Sequence, residues 1–185
     1  MKKLTTTILI NAEPYEVWHS FTQFHAWQLW NPFLSDVRGT VRLNERLTVT
    51  IFPNTPEIFA DMAEFAEAEE TLAKQRSKEP PVSLNKSSTY NVKVSRYEEN
   101  SYLQWKYSSF FMGKYQHDFA FNTYEDGNTA FENTVQMSGL LVNLGWENFI
   151  KHYYQSGLER MNFALKQVVE STELFIDGEL VDYRK

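Results

Sequence analysis

The chain contains no cysteine in its 185 residues, so disulfides and thiolate catalysis are excluded and thiol usage gives no sign of the redox compartment. A surplus of positive charge is missing too: 18 Lys and Arg face 24 Asp and Glu, a formal charge of −6. Nucleic acid is therefore not expected as a partner. No run approaches the roughly 20 apolar residues of a membrane span. Met1-Lys2-Lys3 followed by Thr5-Thr6-Thr7-Ile8-Leu9-Ile10 imitates the start of a signal peptide, but its apolar part is short, diluted by threonine and halted at Asn11-Ala12-Glu13-Pro14. A soluble cytoplasmic protein is the expectation. Catalytic signatures are equally scarce. His19, His25, His117 and His152 are scattered, with no pair at the spacing of a zinc motif. Ser138-Gly139 lacks a nucleophile-elbow context, and no glycine-rich phosphate loop occurs. The sequence implies neither a metal nor a cofactor.

Aromatic residues are abundant instead, at 16% with 5 Trp. They bury large areas and can line a wide interior. The clearest single element is an amphipathic helix from about Trp146 to Thr172. Trp146, Ile150, Tyr153, Tyr154, Gly157, Leu158, Met161, Ala164, Leu165, Val168 and Val169 fall on one face, the pattern of a helix lying on a core. Most of the remaining chain alternates like β-strand, which suggests a curved sheet holding this helix.

Leu4 to Ile10 reads as a first strand. Pro14 suits the first turn of a helix, and Val17, Trp18 and Phe21 begin a short helical stripe that continues through Phe24, Trp27 and Leu29. Asn31 before Pro32 is pushed to extended backbone. Asp36 to Leu43 and Arg46 to Pro53 alternate and are expected to form a hairpin turning at Asn44-Glu45. Composition then shifts over about 54–88, where a helix from about Pro56 to Lys74 is expected. Later strands are expected over Thr89 to Tyr97, Ser101 to Tyr107, Lys114 to Tyr124 and Thr129 to Met137. The tail, about 173–185, reads as a short hairpin or a docked arm.

Ile10-Asn11-Ala12 with Pro14, Val17 and Trp18, then Trp30-Asn31-Pro32-Phe33, resembles the opening of the SRPBCC superfamily, the START-like and polyketide-cyclase-like group. Trp105, Gly113, His117 and Phe119 resemble its mid-sheet pattern. Ser138-Gly139-Leu140-Leu141 followed by Met161-Asn162-Phe163-Ala164-Leu165-Lys166 is similar to its closing segment. The resemblance implies an α+β helix-grip fold: about seven antiparallel strands, strongly bent, wrapped around a long C-terminal helix. Two short helices would follow the first strand, and a helical insertion would separate the third and fourth strands. All of residues 1–185 would form one domain.

The resemblance also implies a cavity between sheet and helix for an apolar or aromatic small molecule, lipid- or polyketide-like. A cyclase or aromatase with His117 as acid or base is the second reading. A chaperone-related interaction module using the insertion is the third. A homodimer is compatible with all three. In two respects the sequence departs from its relatives: Asn133 and Val135 stand where relatives often carry a second histidine and an acid, and the insertion is long.

Strand parity names the interior. Tyr90, Trp105, Tyr107, Tyr115, His117, Phe119 and Asn133 share inward faces with the helix residues Ile150, Tyr153, Gly157 and Met161, and together they form the candidate ligand-binding set. Ile58, Met62, Phe65 and Leu72 of the insertion form a stripe that would act as a lid. His117 is either a core histidine satisfied by a tyrosine or backbone partner, or a group that orients a ligand or moves a proton. Gly157 either packs closely against a strand or ring, or makes room for the ligand. The apolar pattern rejects a two-residue turn at Asp126-Gly127. A three- or five-residue loop or a bulge is expected instead, setting Phe119 opposite Asn133 and His117 opposite Val135, with His117 and Asn133 close enough to hold a ligand oxygen or a water between them.

Overall fold

The computed structural model describes residues 1–51, 88–109, 113–171, 174–176 and 179–181. The expected insertion helix, with Ile58, Met62, Phe65 and Leu72, lies outside the described residues. Strand β1 (Lys2–Ile10) leads into α1 (Pro14–Thr22), a 3₁₀ turn (Phe24–Ala26) and α2 (Trp27–Trp30). Pro14 opens α1, and the Glu16 carboxylate accepts from the Glu13 N–H at 3.2 Å, satisfying a donor that the first turn cannot. Six further strands complete the sheet: β2 (Leu34–Arg38), β3 (Arg46–Ile51), β4 (Ser88–Glu98), β5 (Tyr102–Ser109), β6 (Gly113–Thr123) and β7 (Thr129–Ser138).

The seven strands form one antiparallel sheet in the order β1-β7-β6-β5-β4-β3-β2. It curls into a half-barrel, helped by register shifts between Leu34 and Asp36 in β2 and between Val94 and Arg96 in β4, since a bulge bends its strand. The first hairpin is shorter than its alternation suggests: β2 ends at Arg38 rather than running to Leu43. Gly39 stops it with φ +121°, a conformation that side-chain-bearing residues rarely adopt, and residues 39–45 become a connection. The last hairpin closes on a five-residue loop, because Thr123 pairs with Thr129. Phe119 therefore faces Asn133, and His117 faces Val135. A short hairpin in the tail pairs β8 (Leu174–Ile176) with β9 (Glu179–Val181).

Helical structure at the C-terminal side begins earlier than the stripe from Trp146 suggests. Helix α3 (Leu140–Gly145) runs through a π-helical turn (Trp146–Ile150) into α4 (Lys151–Glu170). Val142 and Trp146 are both buried, and their four-residue spacing extends the apolar face one turn back. In α4 the buried set is Gly157, Leu158, Met161, Asn162, Leu165, Val168 and Val169, which lies on β1 and α1. Helix and sheet together enclose one core. The architecture is α+β, a curled seven-strand sheet gripping its C-terminal helix.

Candidate functional site

The interior divides along the strands. Near α1, the rings of Phe21, Trp27, Phe119 and Phe131 have almost no accessible surface. They interlock: Phe21 meets Phe119 at 4.8 Å and Trp27 at 5.0 Å between centroids. The Trp27 indole N–H donates to the Phe21 carbonyl at 2.6 Å, so even the one polar atom of that ring is satisfied.

Toward the other end of the strands, inward positions become tyrosine. Tyr90 on β4 and Tyr107 on β5 meet edge to face at 5.5 Å. Tyr115 on β6 reaches Tyr154 of α4 at 6.1 Å, and Tyr153 and Tyr154 are 5.2 Å apart. Phe33 braces the pair, 5.7 Å from Tyr153 and 5.6 Å from Tyr154. These tyrosines remain half-buried. Burial nevertheless pushes the phenols of Tyr115 and Tyr154 well above their ordinary value, with their neighbours' phenols adding to the shift. Tyr153 is raised for the same first reason.

Between the two ends runs a buried polar relay. The Tyr115 hydroxyl donates to His117 Nδ1 at 2.9 Å, and His117 Nε2–H donates to Asn133 Oδ1 at 2.6 Å. Asn133 Nδ2 donates in turn to Asn162 Oδ1 at 3.0 Å, and Asn162 Nδ2 to Thr6 Oγ1 at 3.0 Å. The amide directions fix the imidazole as the neutral Nε2–H tautomer. Burial pulls the His117 pKa down to about 4, against the opposing hydrogen bond that its Nε2–H donates to Asn133. A neutral imidazole with both nitrogens bonded and no exposed surface has no proton to give and no ligand to touch.

The structure thus corrects several expected ligand contacts. His117 and Asn133 bond directly, which leaves no place between them for a ligand oxygen or a water. Trp105, Phe119 and Met161 are packed without usable accessible surface, because the rings around them fill the interdigitated core. Gly157 makes room for protein rather than ligand: a Cβ there would run into the ring of Phe33. Tyr90, Tyr107, Tyr115, Ile150 and Tyr153 keep accessible surface. Tyr154, Phe33 and Asn162 are absent from the expected set. The first and last sit in the i, i+3, i+4 rhythm of the helix face and are open to that signal. Phe33 is not, since only the close approach of Gly157 reveals it.

Asp118 is on the outer face of the sheet but only 6% exposed. Its carboxylate accepts from Tyr102 at 2.6 Å and from Gln104, Gln116 and Gln136. Desolvation works to raise its pKa, and these four donors together outweigh it and bring the value down. Two grooves of 670 Å³ and 1060 Å³ border α1 and Tyr97 on the outside of the fold. They contain none of the expected ligand contacts. The larger combines the polar Asn11, Glu16, His19, Gln23, Glu99 and Glu170 with Tyr15, Trp18, Tyr97 and Val169. Among the described residues no group of three or more potential metal ligands comes together, and no helix is long and apolar enough to cross a membrane.

The family model described as "Polyketide cyclase / dehydrase and lipid transport" matches residues 1–166. The chain belongs to this family. Its fold is shared by several solved structures. A START superfamily protein from Mycobacterium smegmatis superposes with TM-score 0.58 at 16% identity, covering 91% of this chain and 97% of that one. A protein from Thermus thermophilus gives TM-score 0.61 at 10% identity, covering 91% and 97%. A Mesorhizobium loti protein gives 0.58 at 12% identity, covering 94% and 100%. No curated protein matches the sequence. At such identities the likeness is one of fold, and function has to be argued from this chain's own residues.

Proposed function

We propose that the protein binds an apolar or aromatic small molecule between the tyrosine-rich end of the sheet and the first half of α4. The observation that carries this is the cluster of facing tyrosines, Tyr90 with Tyr107 and Tyr115 with Tyr153 and Tyr154, whose side chains stay half-buried where the other end of the interior is closed. Ligand sites of this type are concave and mainly apolar, with a few polar atoms to fix orientation, and phenols offer both in one side chain. Tyr90, Tyr107, Ile150 and Tyr153 would complete the wall. The family's description couples cyclisation with lipid transport, and binding is the half these residues support. Proton transfer through His117 is not favoured, because a general acid or base must reach the proton it moves and this imidazole is enclosed by protein partners.

Native mass spectrometry of the protein purified from cells should find a small apolar adduct. Naphthalenemethanol should bind the emptied protein in calorimetry. Ile150→Trp, which fills the wall, should weaken that binding by about tenfold or more with no loss of fold by circular dichroism. No adduct and no heat of binding would overturn the proposal.

A further inference from the structure

Among the described residues, four buried side-chain nitrogens have no hydrogen-bond partner: Trp30 Nε1, Asn31 Nδ2, Arg160 Nε and Arg160 Nη2. All are donors. Buried donors are nearly always paired, so donors of one kind clustered at one junction point to an acceptor. Trp30 and Asn31 are 8% and 4% exposed. The direction of Asn31 is fixed, because its Oδ1 accepts from the backbone N–H of Phe33 at 3.0 Å and of Leu34 at 2.9 Å. Its Nδ2 therefore turns away from its own chain.

The fold packs together the two elements that carry these donors. Phe33, two residues beyond Asn31, lies with its ring against Gly157, and α2 packs on α4. Arg160 follows Gly157 by three residues, about 4.5 Å along the axis. Helical side chains lean back over the preceding turn, so Arg160 leans over the turn of Gly157, against which the Phe33 ring packs. The helix's own acids are engaged elsewhere: Glu159 accepts from Gln155, and Glu170 pairs with Lys166. Phe33 also touches Tyr153 and Tyr154, which ties the segment following Trp30 and Asn31 to the tyrosine-rich end.

We infer that Arg160, Trp30 and Asn31 form an oxyanion subsite, and that the ligand is an apolar or aromatic carboxylic acid whose carboxylate they hold. This rests on the pocket reading above. A guanidinium presents two parallel N–H groups that match the two oxygens of a carboxylate. The indole and amide N–H groups add neutral donors to the same anion, and the tyrosines then face the ligand's apolar body.

Calorimetry near neutral pH with two matched pairs tests this: naphthoic acid against naphthalenemethanol, and decanoic acid against decanol. In at least one pair the acid should bind about tenfold more tightly than the alcohol, and the pair that shows it tells an aromatic from an aliphatic skeleton. Arg160→Gln should reduce that ratio to less than about twofold. Asn31→Asp gives a second reading should Arg160→Gln fail to fold. It keeps the Oδ1 that holds Phe33 and Leu34 and offers Arg160 an internal carboxylate, so acid preference should vanish. Equal affinity of acid and alcohol in the unaltered protein would overturn the oxyanion subsite and leave the pocket standing. Failure of all four compounds to bind would overturn both. Acid preference surviving in both variants would place the anion elsewhere and overturn this assignment.

Discussion

Phe21, Phe119 and Phe131 at one end of the sheet, and Tyr107, Tyr115 and Tyr154 at the other, are aromatic side chains on the same kinds of elements with opposite fates. The phenylalanines are packed ring to ring and have no accessible surface. The tyrosines remain half-buried, and burial raises the phenols of Tyr115 and Tyr154 well above their ordinary value. One hydroxyl per ring separates the two ends. A buried phenol needs a partner, so a tyrosine cannot close a core as a phenylalanine can unless an acceptor is built beside it. Where this chain does build one, as for Tyr115 on His117, the hydroxyl starts a relay that fastens sheet to helix. The aromatic richness of the sequence therefore serves two purposes, filling at one end and lining at the other.

The sharpest way to break this contrast is truncation. Phe119→Ala should cost about 3–5 kcal/mol in urea unfolding, as large aromatic deletions in closed cores do. A loss below about 1 kcal/mol would mean that the phenylalanine end is as loosely filled as the tyrosine end.

Next in size is the relay between the ends. The folded pKa of His117, about 4, is below its ordinary 6.5, so the unfolded chain takes up a proton in this window and the folded protein does not. Its contribution to stability is complete above 6.5 and drains away as pH falls toward 4, by on the order of 3 kcal/mol. Tyr115, Asn133 and, across the strand, Asp118 are the polar groups nearest this imidazole. His117→Phe should be less stable than the unaltered protein at neutral pH, and the gap between them should narrow on acidification. A gap that does not change with pH would show that His117 is not held neutral.

A smaller effect is expected where α4 meets Phe33. Gly157→Ala would push a methyl into that ring, at a cost of about 1–3 kcal/mol, and Phe33→Leu should relieve part of it. Additive losses in the double variant would contradict the contact. The smallest effect belongs to the lining itself. Tyr107→Phe should change stability by less than about 0.5 kcal/mol while altering ligand affinity, because its hydroxyl closes no core.

The fold was largely legible because it is written in periodicities. Alternation in β4 to β7 and the stripe of Leu158, Met161 and Leu165 gave strands and helix, and the clash of parity at Asp126-Gly127 gave the register of His117 and Asn133. What misled was the reach of β2, where Gly39 ends a strand whose alternation continues. The site was less legible. Parity says that a side chain points inward but not whether anything fills the space before it, so by parity alone Trp105, Phe119 and Met161 fall in with the tyrosines. Gly157 lost its space to Phe33, a residue 124 positions earlier in the chain, and no local signal joins them. Arg160 lies off the apolar stripe and looks like an ordinary helix cation until its nitrogens are seen to be buried.

The claim at the centre of this account is that ligand meets the tyrosine end and not the rest of the molecule, and the tyrosine rings can report it themselves. With ring-labelled tyrosine, NMR titration with naphthoic acid should move the signals of Tyr90, Tyr107, Tyr115, Tyr153 and Tyr154 together and saturably. Tyr15, Tyr97, Tyr102 and Tyr124, on or near the outer surface, should stay where they are. Movement of Tyr15 and Tyr97 with the inner set unchanged would put the ligand in the outer grooves, and would contradict the account.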